Sequence, residues 1–469
     1  MLYWMQAAPR VLENPALELA AARADELGLP LLCAFGLTAR YPEANLRHYA
    51  FLLQGLAETE RALREMGILL AVLAEEPDRA ALRLAPQAAL VVTDRGYLRH
   101  QREWRERVAA GAPCQVVQVE GELVLPLEEA SGKLEWAAAS FRPKVRRLLL
   151  RRRSTGRSRP PRRDSLGLSV DGPVVPADSL ADGRTLERLR IDRTVPPVPR
   201  LPGGTTPALE RLRRFLGGPL AQYHLHRNDP SAELQSGLSP YLHFGQISPL
   251  TVSHAVRRAK APVEAIQAFL EELIVRRELS YNLVFYNPAY DRYEGLPEWA
   301  RATLARHARD RRPYSYGRNE LEEAGTHDPY WNAAMQEMRR TGTMHGYMRM
   351  YWGKKILEWS ETPEQAFDTA LALNNRWFLD GRDPNSYAGI AWCFGRHDRP
   401  WPERPVFGTV RAMTAAGCAG SSTWTGTCAG SRRCRAGSDC RYCNSFHCAS
   451  CHQPHQLEAP AQGTQTPGN

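Results

Sequence analysis

Five short, almost wholly apolar runs lie within about the first 130 positions: LYWM, LPLLCAFGL, ILLAVL, AALVVTD and CQVVQVEGELVLPL. Runs without polar alternation suit parallel strands covered on both faces, because a strand with one wet face alternates. Between them, Asn14 to Leu27 and Tyr49 to Met66 carry apolar residues three and four apart, as amphipathic helices do. This alternation predicts a doubly wound, Rossmann-like α/β domain with a parallel sheet over residues 1–141. No GxGxxG or P-loop pattern occurs in it, so no phosphate site is visible there.

The pattern then breaks. Arg142 to Arg163 holds eleven Lys or Arg and no acid, and Pro and Gly recur through Gly204. Residues 142–206 therefore read as a basic interdomain linker, either touching nucleic-acid phosphates or simply solvated. From Pro207 to about Thr414 the spacing is helical and rich in aromatics. Pro207–Leu216, Val263–Phe285, Pro297–Arg309, Pro329–Thr341, Thr343–Trp359 and Pro363–Phe378 are the expected helices, several opening on Pro. An all-helical domain of this size, 207–417, commonly surrounds a buried cavity or cofactor.

Composition narrows the class of function. The 469 residues carry 61 Lys+Arg against 51 Asp+Glu, a net charge of +10 that favours a polyanionic partner. No apolar run is long enough to span a membrane, and the N-terminus lacks a basic region followed by a cleavable apolar stretch. Only Cys33, Cys114 and Cys393 serve the first 417 residues. A reduced, cytoplasmic protein without a disulfide framework is expected.

The helical region carries the chemistry. In MHGYMRMYWGKKILEW, a helix from Thr343 would align Met344, Tyr347, Met348, Tyr351, Trp352, Ile356 and Trp359 in one apolar stripe. That stripe is core packing by spacing alone, but Trp331, Trp352 and Trp359 cluster with Tyr347 and Tyr351. Indole gives up one electron without lasting damage, so closely spaced Trp can pass a hole between a cofactor and solvent. Asp380, Gly381, Arg382, Asp383 and Pro384 form a polar turn closing a helix, either ordinary C-terminal turn chemistry or a means of setting Asn374 and Asp380 near a polar heterocycle. Ser236, Gly237, Leu238 and Ser239 precede a Pro, a turn able to hold a phosphate through hydroxyl and N–H groups. Glu272 and Arg276, four apart on one helix, read as a surface ion pair.

Taken in order, YWMQ, RNDP, SGLSPYLHFGQISP, FLEELIVRREL, THDPYWN, MHGYMRMYW, LDGRDPN, HDRPW and ERPVFG resemble a class II cyclobutane pyrimidine dimer photolyase of the photolyase/cryptochrome superfamily. The resemblance runs from about Leu2 to Gly417. It implies FAD, U-shaped in the helical domain and active as the reduced anion. It also implies light-driven electron transfer to a pyrimidine dimer flipped out of UV-damaged DNA, by a monomeric lyase. Carried over by position, it sets Tyr223, Ser236, Gly237, Leu238 and Ser239 on the FAD diphosphate and ribityl region, Asn374 on flavin N5, and Arg349 with Asp380 beside the ring, Arg382 joining them. Trp352, Trp331 and Trp359 become the electron chain, Trp352 nearest flavin and Trp359 nearest solvent. Glu272 becomes the carboxylate that hydrogen-bonds the dimer, with Arg227, Asn228, Met350 and Trp392 lining that pocket and Arg399 and Trp401 in the loop supporting the opened strand. No metal is implied, and an antenna chromophore in the α/β domain is left open in presence and identity. A photoreceptor of cryptochrome type would not need the Glu272 and Met350 pocket. Repair of (6-4) photoproducts relies on paired histidines that these motifs lack, and a DNA-binding protein without catalysis would carry no flavin.

Two departures stand out. The loop CFGRH between Trp392 and Asp398 is one residue short of the usual pattern, and after Cys418 the family's basic segment and final helix are replaced by a Cys-rich tail. Its pairs Cys440/Cys443 and Cys448/Cys451 stand only four residues apart, too close for a zinc ribbon. One set of codons for Ala419–Cys428 reads RKFDVDGYV when shifted by two nucleotides, which resembles the missing segment. Residues 418–469 are thus expected to be an out-of-frame, unstructured tail.

Overall fold

Four of the apolar runs become strands with little change: β1 (Leu2–Met5), β2 (Leu32–Gly36), β3 (Leu69–Leu73) and β4 (Leu90–Asp94), with β5 (Gln115–Val119) taken from the start of the fifth. This computed structural model describes residues 1–149 and 159–414. The Cys-rich tail lies outside the described residues. All pairings are parallel, in the order β3-β2-β1-β4-β5. The chain winds outward through β2 and β3, then crosses β1 to build β4 and β5, so its winding reverses beside β1.

Period-two alternation assigns each strand residue to one of two cores. Tyr3, Met5, Cys33, Phe35, Leu70 and Val72 pack with the Pro15–Leu27 and Leu46–Glu65 helices, through Leu17, Ala20, Leu53 and Leu56. Leu2, Trp4, Ala34, Ala71 and Leu73 pack on the opposite face with Ala80, Ala81, Trp104 and Val108. These last come from the Pro77–Leu84 and Arg99–Gly111 helices, whose small or sparse apolar positions left no clear periodic signal. Asn14 caps the Pro15–Leu27 helix by accepting from Leu17 N at 3.1 Å.

The fifth run departs from expectation after Val119. Leu123, Val124 and Leu125 are buried against the helical region rather than extending the sheet. Val124 N donates to Glu278 Oε1 at 2.6 Å and Arg277 Nη1 donates to Glu122 O at 2.8 Å, so side chains of a helix satisfy this backbone.

The linker reading also changes. Residues 142–149 belong to the Ala138–Leu149 helix, and part of the segment beyond 158 seals the β3 edge. Ser165 N donates to Gly67 O, Ala74 N to Pro173 O and Val175 N to Val72 O, with Val174 bridged to Leu73. Long-range backbone bonds of this kind leave no local sequence pattern, and they cover an otherwise open sheet edge.

The helices of the second half follow the expected spans closely, with two instructive exceptions. The helix expected from Thr343 begins at Gly346, because His345 takes the cap and its Nδ1 accepts from Tyr347 N at 3.1 Å. Its outer half carries no single stripe: Tyr351 to Leu357 is buried all round, Lys354 included. Lys354 Nζ donates to Cys393 O at 2.5 Å, and burial pulls its ammonium down to about 8. The helix expected over Val263–Phe285 is interrupted by a π-helical segment, Glu271–Arg276.

Buried arginines join the sheet to the helices. Arg47, 1% exposed, donates to Pro196 O at 3.0 Å, Met338 O at 3.2 Å and Trp377 O at 2.5 Å, and also to Arg339 O. Arg10 reaches Gly245 O and Gly121 O in the same way. No helix among the described residues is long and apolar enough to cross a membrane.

Candidate active site

The Gly346–Trp359 helix presents Arg349, Met350 and Trp352 within one turn, and three functional features meet on it. Arg349 Nη2 donates to both oxygens of Asp380, at 2.9 and 3.0 Å, while its Nε donates to Met344 O at 3.2 Å. The guanidinium lies 3.8 Å from the centre of the Phe378 ring. Asp380 opens the turn that ends the Pro363–Trp377 helix, and Ser386 Oγ fixes its carbonyl at 2.8 Å. That turn needs glycine at 381, where a Cβ would stand 2.9 Å from both Asn374 O and Phe378 O. Asn374 is buried on the same helix end, its Nδ2 donating to Asn375 Oδ1 at 3.0 Å.

The three indoles form a continuous, fully buried row. Trp352 and Trp331 stack at 6.4 Å and 9°, and Trp331 meets Trp359 edge-on at 5.6 Å. Trp331 Nε1 donates to Trp352 O at 3.0 Å, which locks the middle ring. Trp352 is the end nearer the Arg349–Asp380 pair, since it contacts Phe378 at 6.4 Å. The other end differs from the expected solvent-facing Trp359, which is only 1% exposed. Tyr316 and His327 cover it at 5.5 and 5.2 Å, Tyr316 OH bonds His327 Nδ1 at 2.7 Å, and the exposed Tyr314 stacks on His327 at 3.5 Å. These rings were not singled out from sequence, because Tyr314 and Tyr316 sit in an irregular loop with no periodicity to flag them.

A second cluster holds Glu272. Its Oε1 accepts from Arg227 Nη1, and Arg276 Nε lies 3.1 Å from the same oxygen. Arg276 in turn covers the Trp392 ring at 5.2 Å. Met350 meets the residue after Trp392, with Cys393 Sγ 3.9 Å from Met350 O. Asn228 is exposed beside Arg227. Arg399 and Trp401 lie beyond, with Arg399 and Arg411 over the Trp401 ring at 5.6 and 5.0 Å. The short CFGRH loop is held inward: His397 is buried, bonds Trp136 O at 2.9 Å, and burial lowers its pKa to about 4.

Tyr223 stands close to Arg227 and Glu272, whose charges act on its phenol. Tyr223 is buried against Phe215 and Phe269, and burial raises its phenol to about 12. Gln235, just before the Ser236–Ser239 turn, donates to Arg227 O at 2.9 Å and bonds His345 Nε2 at 2.8 Å, tying this loop to the helix that bears Arg349.

Arg382 parts company with the residues it was grouped with. Its guanidinium lines a cavity at the carboxyl ends of β1 and β2, with Gln6, Thr38, Trp104, Glu122 and His243. Its Nε and Nη2 are buried without a partner, and burial lowers its pKa. Burial also pushes the Glu122 carboxyl up to about 8. The cavity was missed because many separate segments build it, yet its place follows the rule that doubly wound sheets bind ligands at their carboxyl edge where the winding reverses. Among the described residues no group of three or more His, Cys, Asp or Glu could hold a metal.

The donor set fits a flavin. The Arg349–Asp380 pair is charge-neutral as a unit and offers charged donor and acceptor groups beside which a polar ring can sit.

Comparison with known proteins bears on the family. A DNA photolyase family model matches residues 1–162. The deoxyribodipyrimidine photo-lyase of Methanothermobacter thermautotrophicus is 50% identical over 417 residues, 89% of this chain and 91% of that protein. The deoxyribodipyrimidine photo-lyase of Potorous tridactylus is 37% identical over 434 residues, covering 89% and 78%. Among solved structures, the archaeal photolyase of Sulfolobus tokodaii, crystallised with two FAD molecules, shares the fold at a TM-score of 0.65 and 17% identity, covering 84% and 82%. A chain with this sheet and helical site that matches a photo-lyase at half of all positions over nine-tenths of its length belongs to the deoxyribodipyrimidine photo-lyase family, within the photolyase/cryptochrome superfamily.

Proposed function

We propose that this chain is a class II photolyase that repairs cyclobutane pyrimidine dimers in UV-damaged DNA, working as a monomer with one FAD in its helical region. The observation that carries the reading is the single turn bearing Arg349, Met350 and Trp352, which joins an ion pair, a lesion-pocket side chain and an electron chain on one rigid element. A bound FAD, in its reduced anionic form, supplies the light-driven electron. Arg349 and Asp380 would fix the charge beside its ring, Asn374 would meet its ring edge, and Tyr223 with Ser236, Gly237, Leu238 and Ser239 would hold its diphosphate and ribityl parts. Trp352, Trp331 and Trp359 carry electrons inward when the cofactor needs reduction. Glu272, with Arg227, Asn228, Met350 and Trp392, receives the flipped dimer, while Arg399 and Trp401 support the opened strand. One electron enters the dimer, two C–C bonds break, and the same electron leaves, so the reaction has no net redox change.

The Glu272→Ala variant tests the pocket. It is expected to keep full flavin absorbance and the fold while its repair yield per absorbed photon drops several-fold. An unchanged yield would remove Glu272 from the reaction.

The cavity at the sheet edge supports a second, light-harvesting chromophore. Its buried, unpartnered Arg382 nitrogens favour one with an acidic or carbonyl-bearing planar ring. Arg382→Ala is expected to lose the absorbance of any co-purified second chromophore and leave the flavin bands in place. Equal loss of both would assign Arg382 to the FAD site instead.

A further inference from the structure

Glu272 and Arg276 lie on the π-helical segment Glu271–Arg276, in which Arg277 N bonds back to Glu272 O, five residues earlier. Such bulges insert a residue into a turn and re-aim side chains, and they occur often at functional sites. Here the effect is specific. Arg227 and Arg276 both stand on Glu272 Oε1, so one carboxylate faces two guanidinium groups. Arg276 Nε is 3.1 Å from that oxygen yet forms no hydrogen bond, so its contribution is charge rather than a directed bond. Its guanidinium is at the same time spread over Trp392. All three charged side chains remain about a third exposed, which leaves the group open to a ligand.

We propose that Arg276 is a positioning residue of the lesion pocket, which places a second positive charge on Glu272 and seats Trp392. The inference rests on the reading of Glu272 and Trp392 as pocket residues. A lone carboxylate against the dimer opposes arrival of an electron on it, because the dimer becomes an anion before its ring opens. Arg276, beside Arg227, offsets the Glu272 charge and holds the carboxylate in one place, so that this opposition is reduced. Neither guanidinium reacts, and Arg276 acts through the charge and placement of its two neighbours. An ordinary exposed pair four residues apart contributes little, so the two views predict different results.

The test is a double-mutant cycle on the flavin-bound protein: Glu272→Gln, Arg276→Gln, both together, and Arg276→Lys. Repair yield per absorbed photon and affinity for a dimer-containing duplex are measured separately. Arg276→Gln is expected to lower the yield several-fold, with a smaller change in affinity and unchanged flavin content. Arg276→Lys is expected to restore most of it, since the charge returns. In the Glu272→Gln background the same Arg276 change is expected to lose most of its effect, because no carboxylate remains to be offset and held. A wild-type yield in Arg276→Gln, or an equal loss in both backgrounds, would overturn the proposal. No effect of Glu272→Gln would instead overturn the reading of Glu272 beneath it. Should Arg276→Gln lower the melting temperature, Arg276→Lys against wild type decides, since a merely structural arginine would not be rescued by lysine at a stacked site.

Discussion

With Trp331 replaced by Phe, light-driven reduction of the bound flavin is expected to slow by more than an order of magnitude, while repair by chemically reduced enzyme stays near the wild-type rate. Trp331 is the middle ring: it stacks on Trp352 and touches Trp359, and no direct ring contact joins the two outer indoles. Phenyl is much harder to oxidise than indole, so the relay is interrupted without opening the site to water. The ring is fully buried, and its Nε1 bond to Trp352 O is lost, so a stability cost of about 1–3 kcal/mol accompanies the change. Following the oxidised-flavin absorbance under continuous light, with a denaturation curve alongside, separates the two effects. Photoreduction at the wild-type rate would show that electrons reach the cofactor by another route.

The largest effect on stability is expected at Arg47. Arg47→Ala is predicted to cost roughly 3–5 kcal/mol, because several buried carbonyls lose their donor together. Arg47 bonds backbone carbonyls of Pro196, Met338, Arg339 and Trp377, so it clamps the linker and two helices of the active-site half to the Leu46–Glu65 helix that packs on the sheet. Without it, those carbonyls lose buried donors, and each unpaired group costs about 1–3 kcal/mol. No carboxylate stands opposite, and burial lowers its pKa to about 10. Arg47→Lys is expected to recover little, because an ammonium cannot span four separated acceptors as a planar fork does. Urea unfolding monitored by far-ultraviolet circular dichroism measures both variants. A cost below about 1 kcal/mol, the worth of an exposed ion pair, would mean that water replaces the guanidinium and the clamp is dispensable.

What could be read from sequence divides along a physical line. β1 to β4 were legible because strands buried on both faces carry an unbroken apolar signature, and each residue's face follows from period two alone. The end of the fifth run was not, since Leu123 to Leu125 are apolar for a different reason, packing on helices far along the chain. The sealing of the β3 edge by residues 165–175 rests on backbone bonds to which side chains contribute no pattern. In the site, the Arg349 and Asp380 contact came from motif resemblance, and spacing alone did not point to it. Arg276 shows the limit most clearly. Its spacing from Glu272 suggested a surface pair, and only the π-helical turn and the approach of Trp392 from another helix bring it into the pocket. Arg382 shows the converse, where a shared turn with Asp380 suggested a shared ligand but the side chain faces the sheet-edge cavity.

The central claim is light-dependent repair, and a duplex carrying a single thymine dimer tests it most directly. The purified, flavin-bound chain, reduced before mixing, is incubated with that duplex under blue light and in darkness, and restored strands are counted. The account predicts restoration in the light alone, with several turnovers per enzyme. Bound flavin with no restoration under light, or restoration at equal rates in darkness, would contradict it.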